Sequence, residues 1–585
     1  MVSKNLFRSQ RGKTPRAVPM DAEGKLTRNE AGGVAYTYGP KHALAQYACT
    51  GTLNNTFYAT DKDQLKKTME LVSKVDDAEF IAKLAVYARK QAFMKDMPAL
   101  LTAVLFARSS AKYLATDSSV PGIKKLGHAV EAQAYANVFR AVFPVVIDNQ
   151  RMLRNFVQII RSGVLGRKSF GTAGKRAIRG WFDARTANQI FRASVGQNPS
   201  MADIISMARP KGDTEKDALY AYLLGAPTRD SLDTSDEKQA ARLQRGAYAK
   251  PEHLPELVQQ FEAFKKNPEL PTPKLDFRMF TSTPLSTAKW REIALNGRWH
   301  FVRMNLATFQ RHGVFNGKVG EDVAQKLAEV LRDEEQIHRS MVFPYQLFAA
   351  YNYATDIPQV LKLALQDAME LATKNVPQLP GKTWIFTDVS QSMTHPITGT
   401  RDGVISKMRI QDVAALVASS ILRTSPLATV IPICTRLHTN VKLNPRDSVM
   451  TNAKILSGLR GGGTHLELGM QYLVKEKKEV DNVLFVTDNE SWVGRAHRGY
   501  GHRYGEVLEA SGSEACWQKI RAKNPNAKLC NLQIQPYSTT QVPDETGSVL
   551  NIGGFSDRVF TVIERFVTSD NANFWIEEIE KVTLG

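Results

Sequence analysis

The chain has 585 residues, 43% of them hydrophobic and 23% charged, and its 77 Lys and Arg against 58 Asp and Glu leave a net charge of +19. These proportions exclude a globally disordered or fibrous chain and give a length for several packed domains. The positive excess favours nucleic acid or an anionic membrane surface as partner.

In chain order, the first segment is basic. Lys4, Arg8, Arg11, Lys13 and Arg16 precede the first acid, Asp21, and residues 1–24 are read as a flexible arm rather than a transit peptide. No apolar run reaches the roughly 18 residues of a membrane helix, so no membrane-spanning segment is expected; nucleic acid, not a membrane, is taken as the partner. Cys49, Cys434, Cys516 and Cys530 lack C-x-x-C spacing. That argues against a structural zinc site or a disulfide framework and for a reducing, cytoplasmic compartment.

From residue 25 to 375 the apolar period is helical. Asp76 to Phe93 sets Phe80, Ile81, Leu84, Ala85 and Tyr87 along one stripe, and Met97 to Leu114 repeats the pattern. Further helices are expected at 62–75, 129–144, 148–164, 174–194, 253–266, 320–338 and 356–374. Helix after helix with short connections predicts an α-solenoid of paired helices. Residues 210–250 are polar and charged and read as a loop or insertion. Residues 151–185 hold Arg151, Arg154, Arg161, Arg167, Lys168, Lys175, Arg176, Arg179 and Arg185 against the single acid Asp183. Such a run is an electrostatic footprint for phosphates. Lys175 and Arg179 lie one helical turn apart, on one face. Arg167, Lys168, Lys175, Arg176 and Arg179 are therefore candidate nucleic-acid contacts, with Arg209 and Lys211 beyond them.

After Pro377 and Pro380 strands alternate with helices. Strands are expected at 382–387, 428–434, 441–443, 482–487, 528–535 and 548–552, and helices at 406–423, 465–474, 512–523 and 557–567. This alternation over 376–585 predicts a doubly wound parallel sheet, whose ligands sit at the carboxyl ends of its strands. Three motifs fall there: Asp388-Val-Ser390-Gln-Ser392, Gly461-Gly-Gly-Thr464 and Asp488. Asp388, Ser390, Ser392, Thr464 and Asp488 supply two carboxylates and three hydroxyls. These hard oxygen donors suit Mg²⁺ or another divalent cation with an anionic ligand completing its shell. A phosphotransferase of the Asp-x-Asp type lacks its second carboxylate at Ser390, and neither Ser390 nor Ser392 has the flanking glycines of a nucleophile elbow. Binding is expected, not turnover.

The three motifs resemble the metal-ion-dependent adhesion site of a von Willebrand factor A domain. Phe485-Val-Thr-Asp-Asn-Glu-Ser-Trp492 is narrower and resembles the Ro autoantigen family, in which such a domain follows a helical ring called the TROVE module. Asn29-Glu-Ala-Gly-Gly33, Gly174-Lys-Arg-Ala-Ile-Arg-Gly-Trp181, Asp203-Ile-Ile with Arg209-Pro-Lys211, Arg303-Met-Asn-Leu306 and Phe343-Pro-Tyr-Gln346 resemble stretches of that module. The resemblance spans roughly residues 25–580. It implies a ring of HEAT-like helical pairs and no enzymatic activity. It implies an RNA-binding scaffold in RNA quality control or processing, binding small Y-like non-coding RNA outside the ring and single-stranded 3′ ends of misfolded RNA through its hole. A monomeric protein within a ribonucleoprotein is expected, with an exoribonuclease as a further partner. Met201-Ala202 stand where the family has His-Lys, which puts selectivity for base or loop in question.

Residues 495–503 form a basic, aromatic-bearing stretch that suits RNA or a solvated loop equally. Cys434 and His438 lack the second pair a zinc site needs, and His465 is expected near the ion without binding it. The competing readings are a metal-dependent protein-adhesion module with incidental basic charge, and a nuclease. The nuclease needs an activated water and a general base that the motifs do not provide.

Overall fold

The computed structural model describes residues 26–28, 34–37, 40–50, 61–110, 129–225, 235–237, 251–280, 283–397, 400–401, 404–405, 407–488, 512–534, 539–540, 542, 548–553, 559–568 and 574–584. The arm at 1–24, the segment 29–33 and the stretch 489–503 lie outside these residues. The chain divides into two compact units. One takes residues 72–333, 354–364 and 579–585, and the other residues 1–71, 334–353 and 365–578. Residues 25–71, read from the sequence as part of the helical module, group instead with the α/β unit. No helix among the described residues is long and apolar enough to cross a membrane.

The first unit is built of helices that pack mainly on near neighbours in sequence. Ala78–Lys90, Asp96–Arg108, Ala129–Val146 and Gln150–Ser162 pack on one another in turn, the locality of a helical-repeat stack. Phe106, Phe139, Phe143, Phe156 and Phe170 interlock at their centre, with ring centroids 5.0–6.4 Å apart.

Caps set the helix starts. Asn149 accepts from the Arg151 and Met152 N–H groups, and Asp77 from Phe80. The single helix expected over 174–194 is two, Gly171–Asp183 and Ala187–Arg192. The Thr186–Gln189 capping box starts a new helix there. Likewise 320–338 divides into Gly317–Leu331 and Glu334–Arg339. Within 210–250 a helix stands at Thr214–Leu223, capped by Asp213. Of the rest of that segment, residues 210–213, 224–225 and 235–237 are described and the others lie outside the described residues.

In the second unit, β1 (Leu26–Arg28) and β2 (Val34–Thr37) form an antiparallel pair, and β2 also pairs with the two-residue strand Thr539–Thr540. The main sheet contains β3 (Thr383–Asp388), β4 (Ala428–Ile433), β5 (Asn482–Thr487), β6 (Lys528–Gln533) and β7 (Val549–Gly553). Every pairing is parallel and the order is β7-β6-β5-β3-β4. The central strands are nearly continuous apolar runs because helices cover both faces. Ile410–Thr424 packs on β3, β4 and β5. Leu466, Met470, Leu473, Trp517 and Ile520 join Phe386 and Phe485 in one core cluster. Pro432 is tolerated because β4 is an edge strand.

No strand forms at 441–443. The chain turns there, with the Val441 N–H on the His438 carbonyl, and continues into a Ser448-capped helix, Val449–Gly458. That helix, and Pro40–Thr50 against β7, have no counterpart in the apolar pattern.

Candidate metal centre and nucleic-acid interface

The parallel pairing of β3 with β5 sets Thr387 beside Val486, so Asp388 and Asp488 leave neighbouring strands at the same carboxyl edge. Asp388 is fully buried. One of its oxygens accepts from the Ser390 N–H at 2.8 Å and the other from the Thr487 hydroxyl at 2.7 Å. Ser390 Oγ lies 3.1 Å from Ser392 Oγ. The third motif meets the first, because the Gln391 N–H donates to the Gly462 carbonyl at 2.9 Å. The Gly461 Cα is pressed so close that a Cβ there would stand 2.7 Å from the Val389 carbonyl oxygen and 2.5 Å from Cys434 Cβ. Only glycine admits this approach. The structure thus brings the three motifs to one end of the sheet, with Ser390, Ser392, Thr464 and Asp488 all buried.

Burial, and then the Asp488 charge, push the Asp388 carboxyl up to about 7. Two buried carboxylates at one strand edge repel unless a proton or a cation lies between them. With three neutral hydroxyls beside them, the donor set fits a hard divalent ion that keeps waters. Among the described residues no cluster of three or more His, Cys, Asp and Glu side chains is placed to hold a metal. The site's remaining donors are hydroxyls. Thr487, whose hydroxyl fixes Asp388, is absent from the sequence-derived set although it ends the strand before Asp488. Cys434 Sγ and His438 Nε2 are 3.3 Å apart and buried. The Cys434 carbonyl accepts from the His465 N–H at 3.2 Å, which holds the far side of the Gly461–Thr464 loop.

The basic run separates by role. Gly174, Ile178, Trp181 and Phe182 bury one side of helix Gly171–Asp183. Arg176 and Arg179 are exposed and Lys175 half-buried on its other side. Arg179 Nε donates to the Ala208 carbonyl at 2.8 Å. It closes the end of helix Met201–Ala208, whose C-cap Arg209 is left-handed at φ +50°. This bond brings the exposed Arg209 and Lys211 to the surface that carries Arg176 and Arg179. Lys168 is exposed as well. Lys216, which the sequence does not single out, closes the other end, its Nζ 3.4 and 3.3 Å from the Phe182 and Asp183 carbonyls. Met201 is buried, so its side chain offers no contact to an RNA.

Arg167 is a correction. It is 6% exposed and donates to the carbonyls of Ser169, Phe106 and Phe170 at 2.8, 3.1 and 3.1 Å, with its guanidinium 3.7 Å from the Phe106 ring centroid. Its charge in the sequence suggests a phosphate contact, but its donors are committed to the protein interior. Arg185 is likewise committed, stacked on Trp181 and bonded to the Trp181 and Asp148 carbonyls. Arg167→Ala is expected to lower stability by about 2–4 kcal/mol, because it strips buried carbonyls of a charged donor. RNA affinity of the folded fraction should not change. Thermal melting paired with a binding titration checks both.

A doubly wound parallel sheet with carboxylates and hydroxyls gathered at its carboxyl edge is the arrangement of a von Willebrand factor A-type domain within the second unit. Residues 382–567 match the family model described as the Ro60 vWA domain. The chain is 23% identical over 499 residues to a Deinococcus radiodurans protein named RNA-binding protein RO60, covering 81% of this chain and 85% of that protein. The crystal structure of the Deinococcus radiodurans RO (RSR) protein superposes with a TM-score of 0.57 at 17% identity, over 90% of this chain and 99% of that one. Along most of its length the chain is therefore similar to Ro proteins, and residues 382–567 match their A-type domain.

Proposed function

We propose that this protein is a non-catalytic RNA-binding scaffold of the Ro type. The carrying observation is the cationic surface formed by Lys175, Arg176, Arg179, Arg209 and Lys211, with Lys168 also exposed, in a chain whose relative is named as an RNA-binding protein. Guanidinium forks and lysine ammonium groups on one helical surface neutralise phosphates irrespective of sequence. The ligands are small Y-like RNA and the single-stranded 3′ ends of misfolded RNA, held in a cytoplasmic ribonucleoprotein with one copy of the chain and an exoribonuclease as protein partner. Asp388, Ser390, Ser392, Thr464 and Asp488 hold Mg²⁺ or a related cation. Bound there, the cation supplies a Lewis-acidic position for an anionic group of a partner.

The test is a filter-binding titration of the full chain with a structured RNA carrying a single-stranded 3′ tail, over a range of salt. Affinity is expected to fall steeply, with a log–log slope of about −0.7 to −0.9 for each phosphate neutralised. A protein that shows no RNA binding to titrate is an adhesion module instead.

A further inference from the structure

The opposite, amino edge of the main sheet carries a feature the RNA reading does not use. A six-residue strand spans about 20 Å, so this edge is remote from Asp388 and Asp488. Here the start of β3, the turn before β5 and the last turn of helix Gly512–Lys523 enclose a cleft of about 350 Å³. Five lysines line it: Lys382, Lys477, Lys478, Lys519 and Lys523. Its two acids are already engaged. Glu479 pairs with the Lys382 ammonium. Asp481 accepts from the Lys382 backbone N–H at 2.7 Å and from Asn524 Nδ2 at 3.1 Å. Five lysines against two acids leave an excess of three positive charges.

Three properties argue against an ordinary solvated face. The lysines converge on a concavity, where walls of low dielectric focus the field. The volume lies in the range of small-ligand sites, near its lower end. Lys478 places its ammonium 5.8 and 5.7 Å from the ring centroids of Trp384 and Tyr472, so cation and aromatic surface adjoin. The carbonyl end of helix Gly512–Lys523 disfavours an anion, and Lys523 in its last turn offsets that end. With Lys382 paired to Glu479, Lys477, Lys478 and Lys519 remain for a ligand. Ammonium groups on flexible stems bind phosphate as point charges without demanding bidentate geometry.

We propose that this cleft binds a nucleotide-sized phosphate ester, either a free nucleotide or the terminal unit of a single strand. Such a site is independent of the basic helix surface of the other unit.

Isothermal titration of the full chain with ATP, and separately with a 5′-phosphorylated oligoadenylate, tests it. EDTA is present so that no divalent ion carries the phosphate to the strand-end carboxylates. At about 50 mM salt the wild type is expected to bind both probes. Lys519→Met with Lys523→Met, exposed positions on a helix surface, should weaken binding at least tenfold without moving the melting temperature. Lys478→Met should act in the same direction, and the remote exposed Lys442→Met should have no effect. Tighter binding of the oligonucleotide than of ATP, abolished in the same variants, identifies a strand end as occupant. The reverse preference identifies a free nucleotide. Absence of binding to both probes, or wild-type affinity in the folded double variant, overturns the proposal. Reversing charges on the basic helix should leave ATP binding intact, which separates this site from the RNA surface.

Discussion

Lys175→Glu combined with Arg176→Glu and Lys211→Glu is expected to weaken binding of a structured RNA by more than about a hundredfold at moderate salt. Each reversal removes a cation from the surface and adds a repulsive charge. The three positions lie on the side of helix Gly171–Asp183 away from its core and just past the end of Met201–Ala208. The salt slope should flatten by about 0.9 for each duplex phosphate that is no longer neutralised. Arg179 is kept in this variant because its Nε–H closes the Ala208 carbonyl. Replacing it confounds weakened binding with a loosened helix end. Filter binding at two salt concentrations, with circular dichroism to verify folding, provides the measurement. Wild-type affinity in a folded triple variant moves the RNA off this surface.

The second large effect is expected at the strand-end carboxylates. The Asp388 carboxyl is raised from an ordinary value near 3.8 to about 7 by burial and by the Asp488 charge. Between those limits the folded protein holds a proton that the unfolded chain has released. The associated stabilisation is therefore complete below about pH 4 and is lost as pH rises through about 7. In EDTA, the melting temperature of the wild type relative to Asp388→Asn should rise as pH falls from about 7.5 to about 5. Mg²⁺ competes with that proton, so it should raise the wild-type melting temperature more at about pH 7.5 than at about pH 5. Asp388→Asn should remove most of the Mg²⁺ effect. An equal Mg²⁺ effect in the variant removes Asp388 from the ligand set.

Much of this arrangement is legible in the sequence because parallel strands buried on both faces announce themselves. Asn482–Thr487 and helix Gly512–Lys523 stand where the apolar runs place them. Strand ends in such a sheet converge by topology, so Asp388 and Asp488 can be paired from the strand pattern alone. Contacts made across long separations are not legible. Arg167 looks like its exposed neighbours along the chain, and only the carbonyls of Phe106, Ser169 and Phe170 distinguish it. The expected strand at 441–443 has apolar residues but no neighbour to pair with, and a local turn takes its place. The lysine cleft is invisible for the same reason, since Lys382, Lys477 and Lys519 are assembled from three separate elements.

The pairing of β2 with Thr539–Thr540 carries a consequence for how the protein is made. A ribosome adding about 5–20 residues per second completes the partner of Tyr36 and Thr37 about half a minute to two minutes after those residues emerge. Helix Pro40–Thr50 waits equally long for β7. Neither segment has its docking surface while the helices between them are being synthesised. The α/β unit therefore closes last, by recruiting chain made first. A fragment begun at residue 376 lacks the β2 partner of Thr539–Thr540 and leaves the β7 surface that Pro40–Thr50 covers open to other chains.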